Sequence, residues 1–177
     1  MAKTVCFTGH RPNKLFGYDP KKQGNQQVLR LLKDVVIEII EDKEITQFIS
    51  GMALGIDLWS AEIVISLKKQ YPQIKLISAV PCKNQTDRWP ESSKREWDWV
   101  LRKADKVIYV SEKDYTNRCM QERNHWMVDH SDIIIAVWNG SNSGTGEAIT
   151  YASTRKPILR IDPSVKPLSS SWMYART

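Results

Sequence analysis

At 177 residues, 41% of them hydrophobic, the chain is long enough for one domain around a single core that needs no staples. Its three cysteines, Cys6, Cys82 and Cys119, are odd in number and lack metal-ligand spacing, which argues against a disulfide framework and for a reduced, cytoplasmic setting. Lysine and arginine number 26 against 20 for aspartate and glutamate, an excess of 6 with no dense basic block; that balance suits a phosphate-bearing small molecule at least as well as a nucleic acid.

In chain order, Lys3 to Thr8 reads as a strand ending in Gly9-His10-Arg11-Pro12, a turn with a donor-rich tip. After a polar loop, Val28, Leu32, Val35, Val36, Ile39 and Ile40 recur at helical spacing. Thr46 to Ser50 is a second strand, followed by Gly51-Met52-Ala53-Leu54-Gly55 and a helix from about Ile56 to Gln70, stopped by Pro72. Ile74 to Val80 is a third strand; Pro90 then suits the first turn of a helix whose Trp97, Val100, Leu101 and Ala104 share a face. Lys106 to Val110 is a fourth strand, followed by a helix from Met120 to His130. Ile133 to Val137 is a fifth strand, running into a loop rich in Gly and Ser and a fifth helix. Pro157 to Ile161 gives a sixth strand. The expected organisation is a single domain over residues 1–162 and a C-terminal tail, 163–177, mobile unless Trp172 and Tyr174 dock. No apolar run approaches a bilayer span or a signal-peptide core, so a soluble protein without a membrane partner is expected.

Strands alternating with helices, each strand a continuous apolar run, imply a doubly wound, Rossmann-like α/β fold with a parallel sheet covered on both faces. Ligands of such sheets bind beyond the carboxyl ends of the strands, where strand order reverses. Three strands hand over to glycine there, at Gly9, Gly51 and Gly144, and amides at a helix start favour an anion.

The candidate ligand-binding residues follow from these loops. Thr8, Gly9, His10 and Arg11 offer backbone amides and a guanidinium, with His10 as well suited to orienting the loop as to touching ligand. Ser50, Gly51, Met52 and Gly55 form a loop fit to hug a ligand, and Asp57 either accepts from a ribose hydroxyl or complements a helix start. Arg123, spaced with Met120 and Met127, puts a cation on a stripe facing the sheet. Its partner is a ligand phosphate or Glu147, the alternatives being a structural Arg to Glu pair or an arginine that snorkels to solvent. Gly140, Ser143, Gly144, Thr145 and Glu147 complete the set. Trp59, Trp97 and Trp126 read as core, whereas Trp89 and Trp138 lie near loops on the ligand side where a base can stack.

Ser50 to Asp57, SGMALGID, resembles the SGxAxGID signature of the DNA-processing protein DprA (Smf), and ERNHWMVDHSD with SGTGEA is similar to the arginine helix and glycine loop of LOG phosphoribohydrolases. Both belong to the SLOG superfamily of Rossmann-like nucleotide binders; the TGHRP opening and RWPESSKREWDWVLRKAD look most like its YpsA-like branch. The resemblance implies a pocket for a phosphorylated, nucleotide-derived molecule such as ADP-ribose, NAD or a nucleotide. It implies no metal and no further cofactor, and association as a homodimer, for which the Trp-bearing tail offers an apolar anchor. The chain departs from LOG at the catalytic carboxylate. That family places a Glu three residues after the loop Thr, which here is Ala148; Glu147 comes one residue early, about 100° away around a helix. A binding module is therefore the leading expectation. An N-glycosidic hydrolase using Arg123 and Glu147 comes next, and single-stranded DNA binding by analogy with DprA third.

Overall fold

The computed structural model describes residues 2–173. Seven strands form one sheet: β1 (Lys3–Gly9), β2 (Ile45–Ser50), β3 (Lys75–Val80), β4 (Lys106–Tyr109), β5 (Ile133–Val137), β6 (Ile158–Ile161) and β7 (Ser170–Met173). Their spatial order is β4-β3-β2-β1-β5-β6-β7. The first six run parallel and β7 is antiparallel to β6. Strand order reverses at β1, which pairs with β2 on one side and β5 on the other.

Five helices cover the two faces: α1 (Gln23–Lys43), α2 (Ile56–Leu67), α3 (Glu91–Lys103), α4 (Asn117–Asp129) and α5 (Gly144–Ala152). Strand alternation divides the core. Val5, Phe7 and Phe48 face α1 and α2 in the larger cluster, while Cys6, Ile49, Ile134 and Ala136 face α4 and α5 in the smaller. The helical spacing of Val28, Leu32, Val35, Val36, Ile39 and Ile40 becomes the buried stripe of α1, which stops where Glu44 turns left-handed at φ 56°. Among the described residues no helix is long and apolar enough to cross a membrane.

The α/β architecture is as the sequence implies, with one addition. The segment expected as a tail turns back along β6 and adds a seventh, antiparallel strand, with Leu159 opposite Trp172. Trp172 packs against the larger core cluster, so it is the docked member of the anticipated pair; Tyr174 lies outside the described residues. The signal was faint because SSSWM carries one apolar pair among serines, and its strand character comes from the free edge of β6.

Candidate functional site

The strand-order reversal leaves a crevice above the carboxyl ends of β1 and β5, and a cleft of about 300 Å³ occupies it. Thr8, Gly9, His10 and Arg11 line it from the end of β1, Ser143, Gly144 and Thr145 from the start of α5, and Arg123 and Asn124 from α4. Ala53 and Asp57 close its back.

Of the three glycine handovers, each serves a different purpose. A Cβ at Gly9 would meet Ile56 Cβ at 2.5 Å, so this glycine lets α2 lie against the end of β1. A Cβ at Gly51 would come within 2.6 Å of Arg123 Cζ and Asp57 Oδ2. Gly51 therefore lies behind Arg123 and does not line the cleft. At Gly144 a Cβ would meet nothing within 4 Å; here the backbone itself faces open space. Ser143 caps α5, its Oγ accepting from Gly146 N at 3.1 Å. The first helical bond of α5 runs from Glu147 N to Ser143 O, so the amides of Gly144 and Thr145 have no helical carbonyl to donate to, and both residues line the cleft.

Arg123 is buried and its partner is neither of the two first expected. Its Nη1 donates to the carbonyl oxygen of Gly51 and lies 3.7 Å from Asp57 Oδ2, while Nε donates to Asn124 Oδ1 at 3.0 Å. Asp57 also takes Ala53 N at 3.4 Å. Burial pushes the Asp57 carboxyl up and the adjacent Arg123 guanidinium pulls it back; burial likewise lowers Arg123, and Asp57 opposes the shift. The ion pair that forms is with Asp57 rather than with a glutamate, and both members line the cleft. Met52 and Ser50 stand behind this pair. Met52 adopts φ 61° with its side chain in the core, and Ser50 Oγ accepts from Met52 N and donates to Asp57 O at 2.7 Å. Gly55, at φ 90°, has a place for a Cβ 2.7 Å from His10 O. The loop expected to hug a ligand instead holds α2 and Arg123 in place, and only Ala53 and Asp57 from it line the cleft.

His10 is buried and interacts with Asn139 at the end of β5, where Asn139 N donates to Nε2 at 3.1 Å. Burial holds its pKa below the usual imidazole value, against the pull of Asn139. Its role in joining the two loops accounts for its burial.

Gly140 and Glu147 lie elsewhere. Both line a separate cavity with Trp138 and Tyr151, where Glu147 Oε1 takes His125 Nε2 at 2.6 Å and Gln121 Nε2 at 3.2 Å. Ala148, not Glu147, lines the main cleft, as the rotation of one residue on a helix requires. The supposed Arg123 and Glu147 pair is therefore not formed. Trp138 is also away from the cleft: its Nε1 donates to Ser141 O and Arg160 lies over its ring. Trp126 is half-buried and stacks on His130.

Sequence reasoning missed Asn13, Lys14 and Asn124. A 3-10 turn over Pro12–Lys14, opened by Pro12, swings Lys14 across the mouth of the cleft, where Nζ donates to Asn142 O at 3.2 Å. The Pro after Arg11 was the available signal. Among the described residues no group of three His, Cys, Asp or Glu side chains is placed to hold a metal ion. Of the thiols, Cys6 lines the cleft floor, and burial pushes its pKa up to about 12, so it is a poor nucleophile. The arrangement brings a helix start, a guanidinium, an ammonium and a buried ion pair to one cleft, groups whose chemistry is suited to an anion.

Residues 5–158 match the YpsA family model, described as the YspA SLOG family. The chain is 38% identical over 136 residues to the SPbeta prophage-derived protein YoqJ of Bacillus subtilis (strain 168), covering 68% of this chain and 80% of that one. It is 26% identical over 155 residues to a UPF0398 protein of Bacillus cereus, covering 87% and 84%. Among solved structures it is similar in fold to DNA processing protein A from Streptococcus pneumoniae, with TM-score 0.62 and 18% identity. That match covers 94% of this chain and 52% of the other. The same protein from Helicobacter pylori, whose structure is described for its single-stranded DNA binding mode, matches with TM-score 0.59 and 18% identity, covering 94% and 68%.

Proposed function

The chain belongs to the YpsA family of SLOG proteins, and from that premise we propose that it is a cytoplasmic binding module for a phosphorylated, nucleotide-derived small molecule of the ADP-ribose, NAD or nucleotide type. The observation that carries this reading is the start of α5. The first residues of a capped helix, Gly144 and Thr145, line a cleft at the strand-order reversal together with Arg11 and Lys14, and the glycine has empty space where a side chain would stand. A phosphate there would accept from Gly144 and Thr145 and gain a charge-assisted contact with Arg11.

The placement of Ala148 favours binding over turnover. Hydrolysis of an N-glycosidic bond needs a carboxylate within hydrogen-bond reach of the reacting atoms, and Glu147 is paired with His125 in a different cavity. The relatives from Helicobacter and Streptococcus motivate a second arm of the test, single-stranded DNA.

Calorimetry on the full chain with ADP-ribose, NAD, AMP and a short oligothymidylate, paired with chromatography of each mixture, separates these readings. The expected result is saturable binding of a phosphorylated nucleotide derivative, recovered intact. Tight binding of the oligonucleotide alone, or release of a free base that Glu147→Gln abolishes, would replace this proposal with the DNA-binding or the hydrolase reading. No binding across a broad panel of phosphorylated nucleotides would remove it.

A further inference from the structure

A second cavity, of about 440 Å³, adjoins the cleft and shares Arg11 and Met120 with it. Its walls are the loops that follow β3 and β4. Trp89 and Tyr115 supply two aromatic rings, Asn84 and Gln85 amides, and Asp87 and Arg88 charges of opposite sign. These loops are tied to each other and to the core. Tyr115 N donates to Asn84 Oδ1 at 2.6 Å, and Lys83 N to Lys113 O at 3.4 Å. Gln85 is buried and spans Met52 O at 3.0 Å and Trp97 Nε1 at 3.2 Å. Trp89 packs on the main core while lining the cavity, whereas Tyr115 is 48% exposed. A large exposed tyrosine and a half-buried tryptophan lining one cavity with amide and charged side chains are not a core arrangement; the set suits a planar ring with hydrogen-bonding edges.

Size decides how much of a ligand each part takes. Pockets for small molecules run from roughly 300 to 1,000 Å³, so the cleft alone is at the small end and a two-part ligand needs the neighbouring space. All the loops concerned lie beyond carboxyl ends of parallel strands, from β5 across β1 to β4, and Arg11 stands at the junction. We infer that the two cavities form one bipartite site for a nucleoside diphosphate derivative: the base lies between Trp89 and Tyr115, the bridging phosphates pass Arg11, and the distal phosphorylated or sugar end reaches the α5 amides.

The inference rests on the phosphate reading of the cleft, and its test keeps the two apart. ADP-ribose, AMP and ribose 5-phosphate are titrated by calorimetry into the parent chain, Trp89→Ala, Tyr115→Ala and Gly144→Val. The bipartite site predicts that ADP-ribose binds at least about ten-fold more tightly than ribose 5-phosphate. Trp89→Ala should weaken ADP-ribose by about 5- to 100-fold, the scale of one base stacked on an aromatic ring, and leave ribose 5-phosphate within about two-fold. Trp89→Phe should restore most of the loss. Tyr115→Ala, at an exposed position that does not support the core, gives the same split if Trp89→Ala fails to fold. Unchanged ADP-ribose affinity in Tyr115→Ala and in a folded Trp89 variant, with loss in Gly144→Val, would overturn the base subsite and leave the phosphate cleft standing. Equal loss of ADP-ribose and ribose 5-phosphate in the aromatic variants would mean these rings support the cleft instead of contacting a base, and would likewise overturn it. Failure of all three compounds to bind would remove both readings.

Discussion

At Gly144 an added side chain has room in the folded chain, so it takes space only from a ligand. Gly144→Val should therefore melt within a few degrees of the parent while losing affinity for the phosphorylated ligand. Gly9→Ala should do the reverse damage, because Ile56 is 2.5 Å from the new Cβ and belongs to α2, which has nowhere to move. Thermal melts beside calorimetry check both. Arg123 requires a different design. Replacing it with Ala removes the charge opposite a buried Asp57, and breaking such a pair costs about 3 to 5 kcal/mol of stability. Affinity changes in that variant mix folding with binding. Arg123→Ala combined with Asp57→Asn should recover part of the stability in a urea melt, since the stranded carboxylate is gone. Arg11, exposed and at the rim, is the cleaner position for reading charge contributed to the ligand. Of the residues singled out from the sequence, Thr8 to Arg11, Asp57, Arg123 and Ser143 to Thr145 line one cleft, because each follows a parallel strand end or a sheet-facing helical stripe. Gly51 and Gly55 do not line it: glycine spacing records that something comes close, and here the close neighbours are an arginine and a carbonyl of the same chain.

Helices α2 and α3 meet through two carboxyls. Glu62 hydrogen-bonds Glu96, and burial, reinforced by the neighbouring carboxyl, pushes Glu62 up to about 7. Burial also raises Glu96. A carboxyl whose folded pKa exceeds its ordinary 4.5 stabilises the fold most when protonated. That contribution is full below pH 4.5 and is lost as the pH climbs through about 7. Glu62→Gln should accordingly raise the melting temperature at pH 8 by more than at pH 5, and a pH-independent effect would count against a shared proton between these helices. The elements themselves were largely legible: the periodicity of α1, the apolar runs of β1 to β6 and the glycine and proline stops gave their places to within a few residues. Pairing between Glu62 and Glu96 was not, since residues 34 positions apart on two helices meet only once the sheet sets the helix spacing.

On the scale of the whole molecule, β7 covers the edge of β6, and Trp172 is held against the core of its own chain. Truncation after Asp162 should lower the melting temperature and promote aggregation visible by light scattering, because it bares the apolar strand Ile158–Ile161. The order of the strands also sets a timetable for synthesis. Val5 pairs with Phe48 on one side and with Ile133 on the other, so β1 waits at a growing half-sheet for nearly the whole chain to leave the ribosome. Until β5 arrives, one flank of β1 is an unpaired backbone ladder of the kind chaperones and neighbouring nascent chains seize. The crevice at the strand-order reversal has only one wall during that interval. A ligand held in that crevice, as proposed, would therefore stabilise only a chain whose synthesis has run past α5.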